Sequence, residues 1–244
     1  MLFRSRAIVL QTLRYADDKL VCRLLTEREG CVSFLVRRGT GRGSRHRLFR
    51  PLALLDVEWS KPRDGALAYP KNVAAALNYA TIPYDTSKTA VALFLCEFLQ
   101  SAVRSEPPSP ALFAFVEQSL RFYDRLERGH ANFHLVFLLQ LATFLGLSPD
   151  VGGFRPGAFF DLREGGFTAM RPLHPQYAEP EEAAALPVLM RMSYANMHRF
   201  RLSGRERSRL LAHLCDYYRL HIPAFPELKS LGILGEVFAA EREN

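Results

Sequence analysis

The chain has 244 residues, of which 48% are hydrophobic and 11% aromatic, so it can bury a core and is not intrinsically disordered. It carries 32 lysines and arginines against 25 acidic residues, and the surplus lies in the first third: residues 1–80 hold 15 basic and 7 acidic side chains, residues 81–244 hold 17 and 18. This asymmetry favours a leading module that binds a polyanion.

The cysteines and the apolar stretches exclude further classes of protein. No two of the 4 cysteines form a CxxC pair, which argues against a zinc or dithiol centre and against a disulfide scaffold. The longest apolar stretch, 135–147, is shorter than the ~20 residues that span a bilayer, and the first residues lack the pattern of a signal peptide. We therefore expect a soluble, cytoplasmic protein without a membrane partner.

Residues 1–80 have the pattern of a small antiparallel β-barrel. Short alternating or β-branched segments are separated by turns, and closure into a barrel would remove exposed strand edges. The connection Arg38–Arg50 contains three glycines and is predicted to be a flexible loop. The predicted strands are Phe3–Leu13, Lys19–Thr26, Cys31–Arg37 and Leu52–Trp59, followed by a strand or short helix within Ala66–Tyr79.

After Ile82-Pro83 the apolar residues recur at helical spacing. Pro187 is expected to kink or shorten one helix, and the interlude 149–175 is expected to hold a hairpin from Ala158 to Met170. The predicted helices are Thr86–Arg104, Pro110–Glu127, Asn132–Leu145, Glu179–Met190, Gly204–Leu220 and Pro226–Ala240. The predicted fold class is α+β: an OB-fold domain over residues 1–80, then a mostly α-helical domain over 81–244 with a short β-hairpin insertion.

The predicted loop between the third and fourth strands is the main candidate site. It is rich in arginine and free of acidic residues, and arginine forks onto phosphate oxygens and stacks on bases. A solvated surface loop is the alternative. The glycines do not fit GxGxxG, and the chain has no P-loop, so we expect no nucleotide-hydrolysis site. The predicted nucleic-acid-binding residues are Arg37, Arg38, Arg42, Arg45, Arg47 and Arg50.

Aromatic residues lie between these charges and are candidates for base stacking. For Trp59, which stands among core-like aliphatic residues, the sequence leaves stacking and core placement equally open. The candidates are Phe34, Phe49, Trp59, Tyr69 and Tyr79.

A second basic cluster lies near the start of a late helix, which Ser203 is expected to cap. Arginine at a helix start opposes the macrodipole, which indicates an external anion, either the DNA backbone or an acidic peptide. A solvated helix face is nearly as compatible with the pattern. The cluster, to which Arg191 is adjacent, consists of Arg199, Arg201, Arg205, Arg207 and Arg209.

No residue pattern indicates catalysis. His130 and His134 have a spacing that can place two imidazoles together, but a third ligand is missing, so we expect a structural role and no metal. No nucleophile elbow, Cys/His dyad or carboxylate pair is evident. We expect neither enzymatic activity, nor a cofactor, nor a small-molecule substrate.

Several strings together resemble the RecO family of recombinational DNA repair proteins, and in particular its Bacteroidetes-like branch. The likeness covers most of the chain. The strings are AIVL at 7–10, LLTE at 24–27 with Gly30, FFDLREG at 159–165, RPLHP at 171–175, YYRLHIP at 217–223 and FPELKSL at 225–231.

The resemblance implies an OB-fold and helical-domain protein that binds single- and double-stranded DNA and anneals complementary strands. It also implies help in loading recombinase onto gaps coated by single-strand-binding protein. The implied partners are RecR and the acidic C-terminal tail of that protein, and the implied location on DNA is the nucleoid. Zinc-binding cysteines of some members have no counterpart in 151–175, where Phe154, Phe159, Phe160 and Phe167 are expected to hold the segment by burial.

Two other hypotheses remain open at this point. The chain could be a protein–protein adaptor whose helical domain docks an acidic peptide through the second basic cluster. It could also be an RNA-binding OB-fold protein, because stacking on single strands does not require deoxyribose.

Overall fold

The computed structural model describes residues 2–39, 41, 44–60 and 66–240. Its contacts divide the chain into two compact units, one built from residues up to 125 together with 228–237, the other from 126–227 together with the residues from 238 onward. Helical segments that follow residue 80 thus also belong to the first unit. The domain division at residue 80 stays a prediction.

The first unit contains a five-stranded antiparallel sheet of β1 (Leu2–Ala16), β2 (Lys19–Thr26), β3 (Gly30–Arg37), β4 (Leu54–Ser60) and β5 (Tyr69–Ala75). The strands lie in the order β3-β2-β1-β4-β5. The first strand is longer than predicted and pairs with β4 through Leu2–Ile8 and with β2 through Ala7–Ala16. A register shift between Val9 and Gln11 accompanies this change of partner.

The sheet is OB-like but is not closed by a full ladder. Its two edges meet at one parallel bridge between Phe34 and Ala68. There, the Leu35 amide donates to the Ala68 carbonyl (2.8 Å), and the Ala68 amide donates to the Ser33 carbonyl (2.9 Å). The predicted closure is therefore reduced to two hydrogen bonds, and most of both edges has no neighbouring strand in the part of the chain described.

One face of the sheet encloses an aromatic core. Side chains alternate between faces along each strand, so positions two apart share a face. Phe34 packs edge-on against Trp59 (5.5 Å between ring centroids), and Phe3 stacks on Trp59 at 5.6 Å. The fully buried members of this core include Val9, Cys22, Leu24, Phe34 and Val57.

Helices α1 (Thr86–Ala102) and α2 (Pro110–Arg125) and most of α7 (Ser230–Ala240) complete the first unit. Asp85 caps α1 by accepting from the Lys88 amide (2.9 Å), and the Cys96 thiol donates to the Leu10 carbonyl (3.0 Å). The Glu97 carboxylate accepts from the Ser230 amide at 2.9 Å. The last helix begins at Ser230, four residues later than predicted, and the Glu97 carboxylate accepts the hydrogen bond of the first amide of this helix.

The second unit is built around α3 (Phe133–Phe144) and α6 (Gly204–His221). The third helix is buried over most of its surface, as its apolar sequence predicts. The Tyr218 hydroxyl donates to the Leu138 carbonyl (2.7 Å) and links the two helices. The predicted helix 179–190 is instead two single turns, α4 (Pro180–Ala183) and α5 (Leu186–Leu189), because Pro187 stands in the first turn of α5 and has no amide to continue α4.

The predicted hairpin is present and is extended by a third strand. Strands β6 (Phe159–Asp161), β7 (Gly166–Thr168) and β8 (Tyr177–Ala178) form a sheet in the order β7-β6-β8. Gly165, in the turn, has φ +70°, and a Cβ there would lie 2.9 Å from the Tyr217 hydroxyl, so glycine is required. Of the four phenylalanines expected to hold the segment, Phe160 is buried and Phe154, Phe159 and Phe167 are half-buried.

Candidate nucleic-acid interface

The outer face of β1, β2 and β3 carries a row of apolar side chains away from the core. Register places Leu13 opposite Val21 and Val21 opposite Leu35, whereas the flanking Cys22 and Phe34 point into the core. Leu13 is 51% exposed, and the other two are half-buried. We call these three residues the apolar row. In OB-folds the face of strands 2 and 3 is the usual site for oligonucleotides.

The β1–β2 hairpin adds an exposed ring at the end of this row. Tyr15 is 68% exposed and lies beside a register shift between Arg14 and Ala16. In the turn that follows, the Asp17 carboxylate pairs with Arg14 at 3.0 Å, and the backbone carbonyl of Asp18 accepts from the Arg38 amide at 2.7 Å. Because most of its side chain is exposed, Tyr15 is available to a planar ligand.

Part of the predicted flexible loop is an anchored 3₁₀ helix, Arg45–Leu48. Phe49, directly after it, is buried in the sheet core, and its carbonyl accepts from the Thr12 hydroxyl (2.9 Å). The Arg45 guanidinium donates to the Lys71 carbonyl of β5 (3.0 Å). An apolar pair, Leu48 and Phe49, thus fixes a segment that its glycine and arginine content had indicated to be mobile.

The structure brings most of the predicted arginines together with two lysines. Lys19 is the register partner of Arg37. The Gly39 amide donates to the Ser44 hydroxyl (3.0 Å), so Arg38 and Arg45, which flank these two residues, lie near each other. We call the resulting group the first basic surface; Arg42 lies outside the described residues. Its members are Lys19, Arg37, Arg38, Arg45, Arg47, Arg50 and Lys71.

No described carboxylate lies within ion-pair distance of the arginines in the first basic surface, and all five are exposed. Arg6, in the same unit, provides a contrast: it pairs with Glu27 at 3.0 Å and with Glu117 at 2.6 Å. The hydrogen bond to Glu27 raises the pKa of Arg6. The sheet thus uses Arg4, Arg6 and Arg14 for ion pairs and presents a separate group of arginines to solvent.

Three of the five aromatic candidates for base stacking are core residues. Phe34, Phe49 and Trp59 are at most 3% exposed, so none of these three candidates is placed to stack on a base, and the open choice for Trp59 resolves to the core. Tyr79 is half-buried and donates to the Leu52 carbonyl at 2.9 Å. Only Tyr69 of this set is largely exposed.

The second predicted cluster separates into exposed and engaged arginines. Arg207 is half-buried and donates to the Leu202 carbonyl (3.4 Å), and Arg209 lies 3.7 Å from Glu182. Ser203 caps α6 as predicted, in a reciprocal capping box with Glu206. Three exposed arginines of the cluster have no ion-pair partner among the described residues: Arg199, Arg201 and Arg205.

The two histidines of interest occupy structural positions. His130 stands in a 3₁₀ turn, and His134 in α3 is completely buried. Burial, with the charge of Arg207 as a smaller cause, lowers the pKa of His134 to about 3. Among the residues described, no three His, Cys, Asp or Glu side chains are grouped so as to hold a metal ion. None of the described helices combines the length and apolarity needed to traverse a membrane.

Sequence reasoning missed the apolar row, Tyr15 and both lysines of the first basic surface. The signal for the row is present in the alternation of β2 and β3, where every second residue belongs to the core. Which of the two alternating sets faces outward depends on strand register and on the position of α1, and neither can be deduced from one strand alone.

These features place the chain among α+β proteins in which an OB-like sheet precedes a helical domain. Residues 1–75 match the model of the recombination protein O N terminal, and residues 83–231 that of the recombination protein O C terminal. The chain is 42% identical to the DNA repair protein RecO of Phocaeicola vulgatus and to that of Bacteroides fragilis, over 98% of this chain and 100% of each relative. It is 35% identical to that of Porphyromonas gingivalis over the same shares. The chain belongs to the RecO family, as its motifs predict.

Proposed function

We propose that this chain is a DNA-binding recombination mediator that acts without catalysing a reaction. It binds single- and double-stranded DNA, anneals complementary strands and assists recombinase loading on gaps coated by single-strand-binding protein. The observation that carries the proposal is the group of exposed arginines without carboxylate partners beside the apolar row. Family membership and the names of the relatives, which are DNA repair proteins, support it.

The first basic surface supplies the affinity for the phosphate backbone. Guanidinium groups without a carboxylate partner among the described residues are free to replace the condensed counterions of DNA, and release of those ions favours binding. Arginine also offers two parallel donors to one phosphate, which fixes orientation as well as charge. Binding of this kind is independent of sequence, as a protein that acts at any gap requires.

The apolar row and Tyr15 supply the contact with bases. Stacking on an aromatic ring contributes about 1–3 kcal/mol per base and tolerates every sequence. Once the phosphates of one strand are neutralised, a second strand meets less charge repulsion, and pairing follows without nucleotide hydrolysis. RecR and the acidic tail of single-strand-binding protein are the protein partners proposed for this role, and the nucleoid is the proposed location during repair.

Replacing Arg37 and Arg47 tests this proposal. The variant Arg37→Ala/Arg47→Ala removes two exposed cations and leaves the anchored Arg45 in place. We expect weaker binding to every oligonucleotide and a salt dependence, log K against log salt, flatter by about 1.4–1.8. The measurement is fluorescence anisotropy with a labelled dT20 strand and with a duplex at several salt concentrations.

The matched control is Arg28→Ala/Arg125→Ala, which removes two exposed arginines outside the first basic surface. It should keep the wild-type affinity and slope. Equal slopes for both double variants would remove the first basic surface from the mechanism. Tighter binding of an RNA strand than of its DNA equivalent would assign the chain to RNA instead.

A further inference from the structure

The second unit carries a basic surface of its own, formed by two short turns and the start of α6. Arg128 precedes the turn His130–Asn132, Arg199 ends the turn Met197–Arg199, and Arg201 and Arg205 follow on either side of the Ser203 cap. All four arginines are exposed. We call Arg128, Arg199, Arg201 and Arg205 the second basic surface.

The two turns are held against each other by buried hydrogen bonds. The Asn132 side-chain amide donates to the Met197 carbonyl (3.1 Å) and to the Phe200 carbonyl (2.8 Å). Gly129 has φ +74°, and a Cβ there would approach the His198 Cβ to 3.0 Å. Arg128 and Arg199 therefore lie on neighbouring segments of rigid backbone, although 71 positions separate them in sequence.

No carboxylate in the described part of the chain neutralises these four arginines within ion-pair distance. Glu206, the acid closest in sequence to Arg205, is engaged in the capping box: its carboxylate accepts from the Ser203 amide at 2.7 Å. Arg205 stands in the first turn of α6, where its charge opposes the helix dipole. A cation that destabilises its own helix and has no internal partner is suited to an anion from outside.

The surroundings favour a polyphosphate over an acidic peptide. A peptide with apolar anchors needs an exposed apolar pocket. In the segments 126–132 and 194–209, which carry the four arginines, no large hydrophobic residue is exposed. A nucleic-acid backbone needs only spaced cations. We propose that the second basic surface binds the phosphate backbone of a second nucleic-acid strand, independently of the first basic surface. This inference takes one assumption from the proposed function, namely that the ligand is a nucleic acid.

The test is binding of two strands that cannot pair with each other. Protein is first saturated with donor-labelled dT20 and then titrated with acceptor-labelled dT20 at low salt, with energy transfer as the readout and sedimentation velocity to confirm two strands per chain. In Arg199→Ala/Arg201→Ala we expect the second binding event to weaken about tenfold and its salt slope to fall by about 1.4. The first event should stay within about twofold of wild type.

The matched control is Arg155→Ala/Arg163→Ala, which removes two exposed arginines elsewhere in the same unit and should change neither event. A wild-type chain that binds one strand only, or an unchanged second event in Arg199→Ala/Arg201→Ala, would overturn the inference. So would loss of binding to an octa-glutamate peptide with the second strand retained, since that result assigns the surface to an acidic partner. Failure of the proposed function can be distinguished from failure of this inference, because Arg37→Ala/Arg47→Ala tests binding of the first strand.

Discussion

A single buried imidazole makes the second unit sensitive to acid. Burial lowers the pKa of His134 to about 3, whereas an unfolded histidine has a pKa of about 6.5. At pH values between these two, the unfolded chain binds a proton that the folded chain does not. The stability that neutral His134 provides is therefore complete above pH 6.5 and decreases as the pH falls towards 3.

We expect protonation linked to this residue alone to lower the unfolding free energy by roughly 2–3 kcal/mol when the pH is reduced from 7 to 4.5. In His134→Phe that pH dependence should be absent, whatever the change in stability at pH 7. Urea denaturation of both proteins at three pH values measures the difference. Parallel curves for the two proteins would show that another group is responsible.

Tyr15 is the residue whose removal separates stacking from charge. Tyr15→Ala should weaken binding of a single strand by about 5- to 150-fold, corresponding to ~1–3 kcal/mol, because one ring no longer stacks on a base. The salt slope should not change, since no phosphate contact is lost, and Tyr15→Phe should bind as wild type. Tyr84→Ala, which removes an 84% exposed ring elsewhere in the unit, is the control. A changed slope in Tyr15→Ala would contradict the stacking role.

At the scale of elements, carboxylates on helices hold the segments that connect them. Asp124, near the end of α2, accepts from the backbone amides of Ala80, Thr81 and Ile82 at 2.8–3.0 Å. Burial alone would raise the pKa of Asp124, but these hydrogen bonds hold it below the ordinary value. The connection from β5 to α1 is therefore positioned by a residue more than 40 positions away.

Asp124→Asn should lower the unfolding free energy by roughly 1.5–3 kcal/mol, because an amide NH₂ replaces one acceptor and faces a backbone donor. Urea denaturation monitored by tryptophan fluorescence measures the loss. Asp56→Asn, which changes an exposed carboxylate on β4, should be within about 0.5 kcal/mol of wild type. An equal effect of both substitutions would contradict the role given to Asp124.

Elements with a strong local pattern could be predicted from sequence, and elements stabilised by distant partners could not. Strand β2 was predicted with its observed bounds because alternation and turns define it locally. Strand β8 was missed because it consists of two residues whose only support is pairing with Phe160 and Asp161. For the site, the sequence indicates where arginine is concentrated. It does not reveal that Arg6 and Arg209 have carboxylate partners while Arg37 and Arg199 have none among the described residues, because pairing is a property of the folded chain.

At the scale of the whole molecule, the family assignment and the charge distribution support one function in two units. The first unit contains most of the positive surplus of the sequence, and the second is nearly neutral overall yet gathers four exposed arginines on one surface. Net charge alone would have assigned polyanion binding only to the first unit. A chain that holds two strands raises the local concentration of each near the other, which favours pairing without an energy source.

The incomplete seam of the sheet has a consequence for self-association. Strand edges with unsatisfied backbone groups are templates on which another copy can add its own strand, the first step of aggregation. Here one edge ends in Arg37 and the other contains Pro70 and Lys71. The charges of Arg37 and Lys71 repel the same edge of another copy, and Pro70 has no amide to donate to an incoming strand. Arg37 and Lys71, which we propose to contact phosphate, therefore also keep copies of the chain apart at high concentration.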